Sequence, residues 1–218
     1  MIAVVDYGVG NLRSAAKGLE RAAREAGCDV DVRVTGDAGE IRRARAVVLP
    51  GVGAFGACVD NLQAAGLTDV VCDAARSGRP FLGICVGMQI LFEESSEFGS
   101  IRGLGLLPGR VNRLRSKDVK IPHMGWNSLA LRPGFPTLAG IPDGTRFYFV
   151  HSYAAEPTDP SVVAATAEYG GESFVAAVGR DNVFATQFHP EKSQAAGLAL
   201  LGNFVRQAAP PVRVAVPA

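Results

Sequence analysis

Gly83-Ile84-Cys85-Val86-Gly87 sets a thiol between two glycines, where an apolar run gives way to a helical pattern. A nucleophile on such a strand-to-helix turn needs small neighbours, because the chain reverses too sharply to leave room for side chains beside it. Unpaired N–H groups at a helix start stabilise negative charge on sulfur. The N–H of Val86 can also face a developing oxyanion. Cysteine is more often a small core residue than a nucleophile. Here the paired glycines favour chemistry.

A thiol nucleophile needs a base, and the chain holds three histidines, His123, His151 and His189. Only His189 has an acid close by, in Gln187-Phe188-His189-Pro190-Glu191. Residues two apart in extended chain point the same way, so Glu191 can orient the ring while Pro190 stiffens the link. Cys85, His189 and Glu191 thus supply nucleophile, base and orienter for acyl transfer. The competing reading of the last two is a surface histidine and a solvated acid at a strand end. Of the other cysteines, Cys28, Cys58 and Cys72, none forms a C-x-x-C pair. The spacing resembles neither a metal site nor a secreted disulfide scaffold.

Two further glycine turns follow apolar stretches. Pro50-Gly51-Val52-Gly53-Ala54-Phe55-Gly56 is placed to direct N–H groups into the same crevice, with Gly53 as the other half of an oxyanion hole. Asp6-Tyr7-Gly8-Val9-Gly10-Asn11 lacks the full dinucleotide spacing and a P-loop lysine, so a nucleotide site is disfavoured.

These groups must be held by strands and helices. Residues 2–5 form an apolar run, and Leu12, Ala15, Ala16, Leu19, Ala22, Ala23 and Ala26 share one helical face ending at Gly27. Cys28, Val30, Val32 and Val34 alternate with polar residues as a strand does, and residues 46–49 read as a buried strand. Helical stretches over 56–77, a strand over 81–84 and a helix beginning over 86–92 complete an α/β alternation, which implies a parallel sheet. From about residue 104, glycine- and proline-punctuated strands follow, including 147–150, 162–167, 174–178 and 183–188. This predicts a mixed or antiparallel section covering the sheet. Residues 194–207 read as a closing helix, and Ala209-Pro210-Pro211 breaks it. The expectation is one domain over 1–209 with a tail over 210–218.

The 22 basic and 21 acidic residues leave a net charge of +1, which supplies no global field for nucleic acid or an anionic membrane surface. No apolar run approaches the ~20 residues of a membrane span, and residues 1–6 lack a basic leader. A soluble cytoplasmic protein is expected.

Together, Gly83-Ile84-Cys85-Val86-Gly87-Met88-Gln89 and His189-Pro190-Glu191 resemble the two catalytic signatures of class I glutamine amidotransferases, in the same order along the chain. More narrowly, Asp6-Tyr7-Gly8-Val9-Gly10-Asn11-Leu12, Pro50 to Phe55, Pro122-His123-Met124-Gly125-Trp126-Asn127 and Phe149-Val150-His151-Ser152-Tyr153 resemble the glutaminase subunits of imidazole glycerol phosphate synthases. The likeness spans about residues 2–207. Val86 stands where leucine is expected, although a backbone N–H serves equally from either residue.

The resemblance implies a flavodoxin-like, doubly wound and mostly parallel sheet with an added antiparallel section. It implies glutamine hydrolysis by Cys85, His189 and Glu191 without metal or organic cofactor. Gly53 and Val86 would form the oxyanion hole, and Gln89, Glu97, Ser152 and Tyr153 would hold the substrate. His123 and His151 would be structural or interface residues. Ammonia would pass to a (β/α)8-barrel cyclase forming a heterodimer with this chain, which would contact it near Asn11, Trp126, Tyr148 and Lys192. The cyclase would make imidazole glycerol phosphate and an aminoimidazole carboxamide ribotide in histidine biosynthesis, and its ligand would switch on an otherwise slow glutaminase. Three alternatives stay open on sequence: an amidotransferase serving another synthase, a cysteine peptidase or γ-glutamyl hydrolase, and a noncatalytic subunit keeping the fold.

Overall fold

The computed structural model describes residues 1–115 and 119–208; the tail expected over 210–218 lies outside the described residues. The first half alternates strand and helix: β1 (Ile2–Val5), α1 (Leu12–Glu25), β2 (Val32–Thr35), α2 (Ala38–Arg43), β3 (Ala46–Gly51), α3 (Phe55–Ala64), α4 (Thr68–Arg76), β4 (Phe81–Cys85) and α5 (Val86–Gln89). β1, β3 and β4 are buried at every position, as strands with helices on both faces must be.

α1 buries Ala15, Ala16, Leu19, Ala22 and Ala23, one face of the helix. It stops at Gly27, whose φ of +66° suits glycine. The N–H groups of Gly27 and Cys28 turn back to the carbonyls of Arg24 and Ala23, at 3.2 and 3.0 Å. Cys28 therefore closes a helix cap, and the strand expected from it begins only at Val32. β2 is the sheet's edge, which explains why Arg33 and Val34 are exposed.

The helix after Cys85 also differs from expectation, ending after one turn. The carbonyls of Ile90, Leu91 and Phe92 accept N–H groups from Leu104 to Leu107 instead of continuing a helical ladder. The chain passes directly into β5 (Phe92–Ser95), followed by β6 (Ile101–Arg102), β7 (Leu107–Arg113), β8 (His123–Ser128), β9 (Ala130–Leu131), β10 (Arg146–His151), β11 (Tyr153–Pro157), β12 (Val163–Tyr169), β13 (Glu172–Arg180), β14 (Val183–Thr186) and α6 (Gln194–Ala208).

Eight strands form the main sheet in the order β2-β1-β3-β4-β14-β13-β12-β9. The first five run parallel, in the flavodoxin-like order, and the last three add antiparallel pairs. The antiparallel section therefore extends the sheet at one edge, and β11-β7-β5-β6 and β10-β8 make two smaller sheets. The first crossover runs from β1 to β2 and the second returns to β3 on the other side of β1. Right-handed connections then place α1 and α2 on opposite faces. Buried residues of both halves join one core that includes Phe55, Phe81, Phe92, Phe147, Phe149, Phe188 and Phe204.

The pairing aligns three strand ends. Gly51 lies opposite Cys85, and Thr186 opposite Ile84. The turns after β3, β4 and β14 consequently emerge side by side at the carboxyl edge of the parallel strands, where open α/β sheets bind ligands.

Candidate active site

The turn at Cys85 has a specific steric cause. A Cβ on Gly87 would lie 1.9 Å from the Leu49 carbonyl oxygen, and one on Gly83 would lie 2.9 Å from the Gly87 carbonyl oxygen. Only glycines let β3, β4 and α5 approach so closely. Cys85 itself has φ 57° and ψ −113°, a conformation that costs a non-glycine residue about 1–3 kcal/mol. Tertiary packing maintains it, with Cys85 on the wall of a cavity.

His189 follows β14 on the neighbouring turn. Its Nδ1 lies 2.9 Å from Glu191 Oε1, and both side chains are only 2% exposed. His189 Nε2 and Glu191 Oε2 are buried without hydrogen-bond partners among the described residues. Burial opposes the charged ring, but the Cys85 sulfur and the Glu191 carboxylate favour it more strongly together, raising the His189 pKa to about 9. Near neutrality the ring is an imidazolium beside a sulfur, with the proton that an amide leaving group requires.

A cavity of about 320 Å³ opens over these groups. Cys85, His189, Gly53, Val86, Gln89, Glu97, Ser152 and Tyr153 all line it, and Glu191 stands behind His189. Residues expected from the turn at Gly53, the elbow at Cys85 to Gln89, Glu97, Ser152-Tyr153 and His189 are thus brought to one space. Glu97 has a structural task as well, because Oε2 accepts the Phe55 N–H at 2.7 Å at the start of α3. Gln89 is 3% exposed and donates to the Tyr153 carbonyl and to Gln187 Oε1.

Sequence reasoning missed Gln187, which is fully buried and directs Nε2 toward Cys85 Sγ at 3.8 Å. The two-residue period that pairs His189 with Glu191 also reaches back to Gln187, so the signal was present. Val52, in the glycine turn expected to face the crevice, also lines the cavity, and so do Pro122, Val150 and His151, which no sequence pattern placed there.

Of the four expected interface residues, Trp126 and Tyr148 make an edge-to-face pair with centroids 6.2 Å apart, and Lys192 Nζ lies 5.9 Å from the Tyr148 ring centre. Lys192 continues into the cavity wall. Met124 and Trp126 occupy the outward face of β8 at 63% and 37% exposure, so Trp126 is not a core residue. Asn11 occupies the N-cap position of α1, without a side-chain capping bond, beside Gly10, where an added Cβ would meet the Pro50 side chain at 3.3 Å.

The fold and the site define a known class. The family model described as glutamine amidotransferase class-I matches residues 4–208. Among solved structures, one described as a glutamine amidotransferase has TM-score 0.71 at 19% identity, covering 95% of this chain and 99% of that one. The glutaminase domain of a Trypanosoma brucei CTPS has TM-score 0.67 at 16% identity, covering 95% and 92%. At these identities the likeness concerns the fold alone.

Sequence relatives are much nearer. Imidazole glycerol phosphate synthase subunit HisH of Syntrophotalea carbinolica is 51% identical over 94% of this chain and 98% of its own length. Subunit HisH of Rhodospirillum rubrum is 52% identical over 95% and 99%. The chain belongs to the class I glutamine amidotransferase family and, within it, to the HisH subunits of imidazole glycerol phosphate synthase.

Proposed function

We propose that the cavity is the glutaminase site of this amidotransferase, with Cys85 as nucleophile, His189 as acid and base, and Glu191 as orienter. The observation behind this reading is the buried 2.9 Å His189–Glu191 contact beside the strained turn of Cys85. The sulfur attacks the carboxamide carbon of L-glutamine while N–H groups at Gly53 and Val86 stabilise the oxyanion. His189 gives its proton to the departing nitrogen, which leaves as ammonia, and a glutamyl thioester remains on Cys85. Water, deprotonated by His189, then hydrolyses the thioester to glutamate. Gln89, Glu97 and the backbone at Ser152 and Tyr153 hold the amino-acid end. The chemistry calls on no metal or organic cofactor.

Ammonia passes to a cyclase partner with a (β/α)8-barrel fold, which forms imidazole glycerol phosphate and an aminoimidazole carboxamide ribotide. The outward face bearing Met124 and Trp126, together with Tyr148, Lys192 and Asn11, is the docking surface in this heterodimer. Tryptophan and tyrosine commonly anchor such interfaces. Residues 1–209 act as one amidotransferase domain in the cytoplasm. Among the described residues no helix is long and apolar enough to cross a membrane.

The test is reconstitution with a barrel-type cyclase and its nucleotide ligand. Glutamine-dependent formation of imidazole glycerol phosphate, lost in Cys85→Ala while ammonium-dependent formation persists, is the expected result. Glutamine turnover retained by pure Cys85→Ala would exclude the site.

A further inference from the structure

β8 and β10 place His123 directly opposite His151, and the two rings are 3% and 6% exposed. Their protons can be assigned from the two ends of a hydrogen-bond chain. Asn127 Oδ1 accepts the Ser128 N–H at 2.8 Å, and Asn127 Nδ2 donates to the Glu168 carbonyl at 2.7 Å. That same nitrogen lies 3.4 Å from His123 Nε2. An amide nitrogen only donates, so His123 Nε2 accepts and its proton sits on Nδ1. His123 Nδ1 then donates to His151 Nε2 at 2.9 Å. The His151 proton therefore sits on Nδ1, which donates to the Tyr153 carbonyl at 2.9 Å.

A carbonyl can only accept, so the far end requires the same pattern as the near one. Any other tautomer of either ring sets two lone pairs or two N–H groups against each other. Burial lowers the pKa of His123 to about 4 and of His151 to about 3, which keeps both rings neutral near pH 7.

The Tyr153 carbonyl takes a second hydrogen bond, from Gln89 Nε2 at 3.0 Å, and the same nitrogen donates to Gln187 Oε1 at 2.9 Å. Both amide hydrogens of Gln89 are thereby engaged. Gln89 lines the cavity, and its Oε1 is left as the atom able to meet a ligand, as an acceptor only.

We propose that His151, held in its Nδ1–H tautomer by His123, is a positioning residue of the glutamine site. It fixes the Tyr153 carbonyl and, through it, turns the Gln89 carboxamide oxygen toward a donor group of the bound amino acid. The inference rests on the cavity being the glutamine site. It assigns neither histidine a proton-transfer step.

The experiment uses the Cys85→Ala chain, which on this reading should bind glutamine without turnover, with imidazole nitrogens labelled by 15N. At pH 7 the His151 resonances should report a protonated Nδ1 and a bare Nε2. Adding His151→Phe keeps a ring but removes the donor, and glutamine affinity should fall about tenfold. His151→Asn, whose amide nitrogen reaches the Nδ1 position, should stay within about threefold of the parent. With Cys85 present and the cyclase bound, the loss should fall on KM rather than kcat.

If His151→Phe does not fold, His151→Leu, which is smaller and equally lacks the Nδ1 donor to the Tyr153 carbonyl, offers the same test. A protonated Nε2 on His151, or parental glutamine affinity in a folded Phe or Leu variant, overturns the inference. Failure of the Cys85→Ala parent to bind glutamine would instead overturn the glutamine-site reading, and this inference with it.

Discussion

His189 Nδ1 and Glu191 Oε1 meet at 2.9 Å inside the protein, with only Pro190 between them in the chain. The carboxylate thus occupies Nδ1 of the ring, and Nε2 is left without a partner among the described residues. The pair raises the proton affinity of the imidazole and directs its use. The pH dependence follows from that. With a pKa of about 9, the imidazolium persists until the pH passes about 9, and kcat/KM for glutamine should fall above it as the leaving nitrogen loses its proton donor. Glu191→Gln removes one of the groups favouring the charged ring, so this basic limb should move to lower pH. Profiles measured on the cyclase complex decide the matter; a limb unmoved by the substitution would show that Glu191 does not support the charged ring.

Cys85→Ala and His189→Ala should each lower glutamine hydrolysis roughly ten-thousandfold or more, because triad members act as a unit. Glu191→Gln should be milder, since an amide can preserve part of the orienting hydrogen bond. Equal, small effects of the His189 and Glu191 substitutions would contradict the roles assigned to them.

Gly87 and Gly202 give opposite predictions for the same chemical change. A methyl group on Gly87 meets the Leu49 carbonyl oxygen at 1.9 Å, whereas on Gly202 the nearest atom is the flexible end of Arg206 at 3.8 Å. Gly87→Ala should destabilise by about 3 kcal/mol or fail to fold. Gly202→Ala in α6 should stabilise by about 0.5–1 kcal/mol through helix propensity. Denaturant unfolding compares them, and a neutral Gly87→Ala would refute the close-packed elbow.

Trp126→Ala and Lys192→Ala should weaken docking or glutamine-to-cyclase coupling more than the ammonium-supported reaction. Trp126 is outward and joined through Tyr148 to Lys192, which reaches the cavity wall. Equal loss with glutamine and ammonium, at unchanged complex affinity, would place the docking face elsewhere.

The isolated chain should be a slow glutaminase that the ligand-bound cyclase accelerates. One oxyanion donor brought into place near Gly51, Val52 and Gly53 is worth about 3 kcal/mol, or more than a hundredfold in rate. Glutaminase rates with and without the cyclase and its ligand test this, and absence of stimulation rules it out.

Most of the parallel half was legible because local patterns and packing ask for the same thing there. The apolar runs at 2–5, 46–49 and 81–84 became buried strands, and the stripe from Ala15 to Ala23 became the buried face of α1. Reading failed where backbone hydrogen bonds left the local element. Cys28 alternates like a strand residue but its N–H closes a helix cap. The stretch after Cys85 has helical composition, yet carbonyls from Ile90 to Phe92 are taken by residues 104–107.

By itself the sequence determined which groups could react. Cysteine between glycines, and histidine two residues before glutamate, are properties of the chain and need no partner to be recognised. Only the tertiary structure decided that they share one cavity, that Gln187 belongs with them, and that His151 holds the Tyr153 carbonyl. Those relations join residues far apart in the chain; Gln187 and Cys85, for example, are 102 positions apart. Their distances depend on strand register and on which backbone atoms Gly51, Gly83 and Gly87 approach, neither of which any local pattern encodes.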